Sequence, residues 1–422
     1  MDKRELSKKR RRNAKLFSIY KMFSWDLLFY YSIEFLFFTI TKGISASEVL
    51  IINGIYLISK IIMQIPAVII NDAVGRKKGI IIGNLSIVLY LLILIFGKGA
   101  ISIIIANIFC AIGFDLKYLT ETTLLYDSVS TRGGEGLYSK IDSKGGSLYY
   151  ILDGITALIS GYLFINNNYL PMIACLICVI ISTIISLMFE DIYEKPKKTS
   201  IRKTVKNTGK DLKKTTKFIL KSGRMKAIMI FQIVLYGTIK IIDTYRSDIL
   251  VDLGVPEEQF AIIIGILSVI GGVAVSQNKA IEKKYKNKTL TVIGLTYLTG
   301  VILVGVVAFI AKTEAIIPIL LIIFAIQKIC SSMWFVLETK YIKNFTTEKN
   351  RSNIAFAYQI VGATSASIFS ILGGILLEHT NIEYSFLIIG LISLALMILT
   401  LDYMRTRIGL KPHQYNKKDI SY

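Results

Sequence analysis

A charged side chain inside a long apolar run is costly, and this sequence places a dozen of them there. They are Lys21, Asp26, Glu34, Lys60, Asp115, Lys117, Glu121, Asp153, Lys240, Asp243, Arg246 and Lys328. At roughly 3 kcal/mol for each charge at a bilayer centre, lipid-facing placement would cost on the order of 30 kcal/mol. That exceeds the roughly 5–15 kcal/mol that holds a folded domain together. Most of these groups therefore face protein or a water-filled path, pair with one another, or lie near the interface. The chemistry they offer is proton uptake and release. A carboxylate held in low dielectric exchanges its proton near neutral pH, as proton coupling requires. Asp26, Glu34, Asp115 and Asp153 are the candidates, with Lys60 as counter-charge.

Spacing adds a second set. Read as a helix, Asp26, Tyr30, Glu34 and Phe37 form one stripe, and Asn53, Tyr56, Lys60 and Gln64 form another. Gln232, Tyr236, Lys240 and Asp243 repeat the pattern, as do Gln327, Ser331 and Trp334. These are polar and aromatic faces on greasy helices, the inverse of a soluble amphipathic helix. Tyr30, Tyr56, Gln64, Tyr236, Lys240, Gln327, Lys328 and Trp334 are thus candidate cargo contacts. A rise of about 1.5 Å per residue puts Asp26 and Lys60 at similar depth and predicts a salt bridge between them, leaving Glu34 freer to titrate or meet substrate. Lys117 and Glu121, four residues apart, read as a structural pair.

The elements that must position these groups are transmembrane helices. Of 422 residues, 53% are hydrophobic and only 19% charged, against about 25% charged in a soluble domain. The apolar residues arrive in blocks of about twenty, the length of a span. Spans are predicted over 17–41, 48–70, 79–97, 101–127, 146–165 and 169–189, then over 227–249, 258–277, 290–311, 314–337, 353–377 and 383–403. The fold class is all-α: a polytopic membrane protein with twelve transmembrane helices in two six-helix halves. Its parts are a basic N-terminus (1–16), a first half (17–189), a basic linker (190–226), a second half (227–403) and a tail (404–422).

The net charge of +21 follows topology. Lys and Arg crowd the termini, the linker and alternate short loops, whereas the opposite loops hold little beyond Lys42, Lys98 and Lys312. The positive-inside rule then makes both termini cytoplasmic in a cell (plasma) membrane. This distribution argues against nucleic acid as a partner. The N-terminal apolar run is too long for a cleaved signal peptide, and Asp26 and Glu34 interrupt it, so it reads as an uncleaved first span. Cys110, Cys175, Cys178 and Cys330 all lie in apolar runs and read as small buried hydrophobes, not a metal site or disulfide framework. His379 and His413 are the only histidines, and no Gly-rich phosphate loop is present, so enzymatic and ATP-driven readings are excluded and no cofactor is expected.

One short stretch connects two long apolar runs: Asp72-x-x-Gly75-Arg76-Lys77-Lys78. With the twelve-span layout it resembles the loop motif of the major facilitator superfamily. Gln64-Ile65-Pro66-Ala67 and Thr123-Leu124-Leu125-Tyr126-Asp127-Ser128 are similar to stretches of a bacterial drug-efflux branch of that family. The resemblance implies a latch: Gly75 turns the loop, Arg76 pairs with Asp127, Lys77 lies beside it and Asp72 faces the eleventh span. Val68 and Gln64 depart from the pattern, and the fifth span lacks the Gly-Pro signature of proton-coupled drug antiporters. The function so implied is alternating-access transport of a small molecule by a monomer in the bilayer, with no obligate protein partner, driven by the proton gradient. Efflux of an amphipathic or drug-like compound is the first expectation and symport of a small polar nutrient the alternative. A membrane sensor on a transporter scaffold is a remote third.

Overall fold

The computed structural model describes residues 3–129, 134–192, 210, 213–285, 288–311, 313–345 and 351–408, and the regular structure in them is helical. Twelve long helices follow in order: α1 (Lys3–Ser24), α2 (Ala46–Val74), α3 (Arg76–Phe96), α4 (Gly99–Val129), α5 (Gly134–Asn166) and α6 (Leu170–Leu187), then α7 (Gly223–Asp252), α8 (Glu257–Ser276), α9 (Thr289–Ile310), α10 (Ile317–Phe345), α11 (Arg351–His379) and α12 (Ile382–Arg405). Eleven of them, α2 to α12, are long and apolar enough to cross a membrane. Most of the 190–226 linker, residues 409–422 of the tail and Lys312 lie outside the described residues.

The first span is not the single helix expected over 17–41. Helix α1 runs from the basic segment into the apolar run and stops at Ser24. Residues 25–33 are irregular, and Phe29 has a φ of +65°. Helix resumes over Glu34–Leu36 and ends in a wide turn, Phe37–Thr41, in which the Lys42 N–H reaches back to the Phe37 carbonyl at 3.1 Å. The cause is tertiary. The Ser24 carbonyl, which a further turn of helix would use, accepts instead from the Lys117 ammonium of α4. The Leu27 N–H turns to the Asp26 carboxylate at 3.0 Å. A bulky residue in the left-handed region costs on the order of 1–3 kcal/mol. The partners around the segment hold it there, the Ser160 hydroxyl donating to the Phe29 carbonyl at 3.4 Å among them.

Contacts divide the chain into two compact units. The first holds Met1–Ile44, Ile58–Val205 and Glu257–Gly265, and the second holds Ser45–Leu57, Lys206–Pro256 and Ile266–Tyr422. Helix α2 thus begins in the second unit and ends in the first, and α8 does the reverse. In the first unit α3 lies along α4, and α1 packs on α5, α4 and α6. The α3–α4 seam is nearly bare backbone: a Cβ on Gly83 would stand 2.9 Å from the Gly113 carbonyl oxygen, and one on Gly113 2.9 Å from that of Gly83. Small residues at such a seam let membrane helices approach closely where apolar burial gives no advantage over lipid. One end of this unit closes on a cluster of Phe17, Tyr20, Ile80, Leu124, Leu125, Val129, Phe189 and Ile192. There Asn13 grips the backbone of Glu190 twice, donating to its carbonyl at 3.0 Å and accepting from its N–H at 2.8 Å. Arg12 adds an ion pair to the Glu190 carboxylate at 2.8 Å.

In the second unit α7 packs against α11 and α12, and α9 against α12 and α10. Helix α7 is the most enclosed span: 72% of its most apolar window is buried in protein, against 28–50% for the other ten. Its charges Lys240, Asp243 and Arg246 are each half-buried. All four cysteines are buried and unbridged.

Candidate functional site

The ionisable groups of the first unit gather around the break in its first span. Asp26 Oδ1 accepts from the Leu27 N–H at 3.0 Å and from the Tyr31 hydroxyl at 2.8 Å. Lys117 and, more weakly, Lys60 act on it through space. The expected Asp26–Lys60 salt bridge is not formed. Its premise was a continuous helix, and the break takes Asp26 off the path along which its depth was reckoned. Lys60 also acts on Asp115, which is 6% exposed and keeps one carboxylate oxygen, Oδ2, buried with no hydrogen-bond partner among the described residues. Lys60 thus serves two carboxylates.

Lys117 and Glu121 do not pair directly either, because each finds a partner on α1. Lys117, 4% exposed, bonds the Ser24 carbonyl. Glu121 accepts from the Tyr20 hydroxyl at 2.6 Å, and Asn84 of α3 donates to the same hydroxyl at 3.3 Å. A second chain starts at Tyr90 of α3, whose hydroxyl donates to that of Tyr30 at 2.6 Å; Tyr30 donates in turn to Glu34 at 2.9 Å. Glu34 is therefore a held carboxylate. Asp153 of α5 lies within electrostatic range of Tyr149 and Tyr150. Lys60, Gln64 and Asp115 come from α2 and α4, and the Gln64 amide oxygen is buried with no hydrogen-bond partner among the described residues.

The turn at 71–78 takes the form its residues dictate. Gly75 alone separates α2 from α3, with a φ of +82° that only glycine adopts without strain. Its N–H bonds the Asn71 carbonyl at 3.0 Å, and its carbonyl receives the Gly79 N–H at 2.9 Å. Arg76, the first residue of α3, forms an ion pair with Asp127 near the end of α4, their side chains 29% and 14% exposed. Lys77 is half-buried beside it. The side chain of Asp72 lies outside the described residues.

The second unit sets its polar groups on α7 and α10. The Lys240 ammonium sits 5.6 Å from the centre of the Tyr236 ring, which meets Phe335 edge-on at 5.8 Å. Asp243 and Arg246 pair along α7 at 3.1 Å. Gln327 donates to the Tyr297 carbonyl at 3.4 Å, and its amide oxygen has no hydrogen-bond partner among the described residues. The same holds for the indole N–H of Trp334, whose ring is fully buried 4.9 Å from Phe231. The half-buried Lys328 runs its stem past Gly271 of α8. Tyr56 is half-buried on the part of α2 that belongs to this unit. Among the described residues no group of three or more His, Cys, Asp or Glu could hold a metal ion.

Sequence reading missed Ser24, Tyr31, Asn84 and Tyr90. A lone Asn and a lone Tyr in the apolar run of α3 were visible signals, since polar atoms in a span seek partners in the bundle. The use of a main-chain carbonyl as the seat of Lys117 left no such trace.

Among curated protein sequences nothing matches the chain. Solved structures match its fold. A peptide transporter POT in complex with alafosfalin aligns with a TM-score of 0.70 at 13% identity, over 99% of this chain and all (100%) of that one. The nucleoside transporter NupG aligns at 0.68 and 13%, over 95% and 99%. A D-xylose–proton symporter aligns at 0.65 and 12%, over 94% and 97%. The family model of the Major Facilitator Superfamily matches residues 19–310 and 295–419. The chain therefore belongs to the Major Facilitator Superfamily: it is a multi-pass membrane protein and a secondary transporter, not an enzyme.

Proposed function

We propose that the chain is a proton-coupled exporter of a small amphipathic molecule, set in the plasma membrane with both termini cytoplasmic. One observation carries the coupling: around the break in the first span Lys60 acts on both Asp26 and Asp115, and Lys117 acts on Asp26 as well, with no direct ion pair to either carboxylate among the described residues. Protonating either carboxylate removes a charge that an ammonium group feels, and one of those ammonium groups holds the broken helix end. Proton binding would thereby bias the conformations of an alternating-access cycle. Gln64, Gln327 and Trp334 each carry a buried polar atom with no hydrogen-bond partner among the described residues, and each suits a hydrogen bond to cargo. Tyr30, Tyr56, Tyr236, Lys240 and Lys328 complete the proposed contacts, with Glu34 and Asp153 as further proton sites. Asp72, Gly75, Arg76, Lys77 and Asp127 form the proposed gate.

Export is supported by the likeness of residues 64–67 and 123–128 to a drug-efflux branch. Import by symport is a second reading, favoured by fold neighbours whose names include a nucleoside transporter and a D-xylose–proton symporter. Purified protein in proteoliposomes with an imposed pH gradient decides. Solute flux opposite to the proton flow supports export, and flux along it establishes symport. Asp26→Asn and Asp115→Asn should each slow gradient-driven flux; full flux in both would remove these residues from the coupling mechanism.

A further inference from the structure

Beside the break, on the face turned to α5, lies a group of aromatic rings that the proton sites do not use. Gly145 and Gly146 of α5 clear a seat for α1. A Cβ on Gly146 would stand 2.7 Å from the Trp25 ring, and one on Gly145 would stand 2.9 Å from Lys21 Cβ. Glycine inside a helix is destabilising, so two in succession mark a place where another group must lie on bare backbone. On that seat Trp25 stacks with Tyr149 at 6.1 Å and 20°, and Tyr150 meets Trp25 at 5.9 Å and Tyr149 edge-on at 5.5 Å. Tyr149 is buried, whereas Trp25 is 38% and Tyr150 64% exposed. Two carboxylates flank the rings: Asp26 and Asp153 both act electrostatically on Tyr149 and on Tyr150. The hydroxyl that holds Asp26 belongs to Tyr31, itself 49% exposed.

The face already carries a cation. The Lys21 ammonium sits 3.7 Å from the centre of the Trp25 ring and forms an ion pair with Asp142 of α5. Aromatic faces next to carboxylates are the surfaces that bind ammonium groups. We propose that the Trp25–Tyr149–Tyr150 face is an ammonium subsite of the cargo path, and that Lys21 is its internal ligand, displaced when a cationic cargo arrives. The cargo class is then an organic amine or quaternary ammonium with an apolar body. The inference rests on the transporter reading above and narrows its substrate. Lys21 makes the empty subsite self-satisfied, so no bare carboxylate–aromatic pocket is left between cycles.

Trp25 and Trp334 are the only tryptophans, so the part of the native chain's indole response that a Trp25→Phe chain lacks reports on Trp25. Purified full-length protein in detergent is titrated with benzyltrimethylammonium, and with neutral benzyl alcohol as control, while indole emission is followed. The ammonium probe should change the emission saturably and the alcohol should not. Lys21→Met keeps the stem and removes the internal competitor; it should tighten probe binding about tenfold, the size of a partly desolvated cation–π contact. Asp142→Asn loosens Lys21 and should tighten binding by a smaller factor, and Gly146→Ala, which fills the seat, should weaken it. Equal response to benzyl alcohol, no response to the probe, or unchanged affinity in both Lys21→Met and Asp142→Asn overturns the subsite. Gradient-driven flux in proteoliposomes keeps the two ideas separate: flux of another solute with no probe binding overturns the subsite alone. Probe binding with no flux of any solute overturns the transporter reading and, with it, the subsite's place in a cargo path.

Discussion

Lys117→Met is the sharpest probe of the broken first span. The ammonium it removes is buried and donates to the Ser24 carbonyl at the C-terminal end of α1, where a cation also meets the negative end of the helix dipole. Hydrogen bonds involving a charged group contribute about 1.5–3 kcal/mol. Methionine keeps the length and apolar stem, so packing along α4 is preserved. Removing the ammonium also relieves its own desolvation, a penalty of several kcal/mol for a buried ion, so global stability should change little. The loss should instead be local. With about 1.5–3 kcal/mol less holding the break, amide hydrogen exchange across residues 25–33 should quicken roughly 10–100-fold, at about 1.4 kcal/mol per factor of ten. Mass-spectrometric exchange on the purified protein reads this by peptide. Lys117→Arg, which restores a cationic donor, should stay within a few-fold of the native rate. Unchanged exchange at 25–33 in Lys117→Met, or acceleration spread evenly over the first unit, would refute the idea that this side chain caps the helix end.

Three further outcomes are expected. Gly75→Ala has open space for its methyl group, but a φ of +82° with a ψ of 173° is backbone essentially reserved for glycine; it should cost about 1–3 kcal/mol by reversible unfolding in mixed micelles. A double-mutant cycle of Arg76→Gln and Asp127→Asn should give a coupling of about 1 kcal/mol, since both groups keep some contact with solvent; zero coupling would reduce the pair to proximity. Tyr20→Phe leaves Glu121 without the hydroxyl that donates to it at 2.6 Å in a buried site, and should destabilise by about 1–3 kcal/mol; an unchanged unfolding midpoint would show that the Tyr20 hydroxyl is dispensable.

Much of the fold was legible because the bilayer imposes simple rules. Span lengths and the alternation of basic loops come from local composition, and the helices from α2 to α12 fall close to the predicted ranges, except that α5 begins at Gly134, well before the predicted 146, and α10 continues to Phe345, past the predicted 337. The Gly75 turn and the Arg76–Asp127 pair were legible too, through a motif whose spacing is local on one side. The first span was not. Residues 17–41 contain neither Gly nor Pro, and a polar stripe at helical spacing reads as a helix. What breaks it is a lysine 93 residues further on, bonded to a main-chain carbonyl, an acceptor that every residue has. The Asp26–Lys60 and Lys117–Glu121 pairings failed for the same reason: depth and i,i+4 rules consider one helix at a time, whereas charges in a dry bundle take whichever partner the neighbouring helices bring.

The break also bears on the order in which the protein can be made. An irregular stretch of backbone in a membrane is tolerated only where protein satisfies it, and the groups that do so here come late. Lys117 lies on the fourth helix and Ser160 on the fifth, each on the order of a hundred residues after the segment it stabilises. Until the ribosome has delivered them, the first span has no finished form in lipid. Its insertion is therefore completed out of sequence, after that of helices encoded behind it.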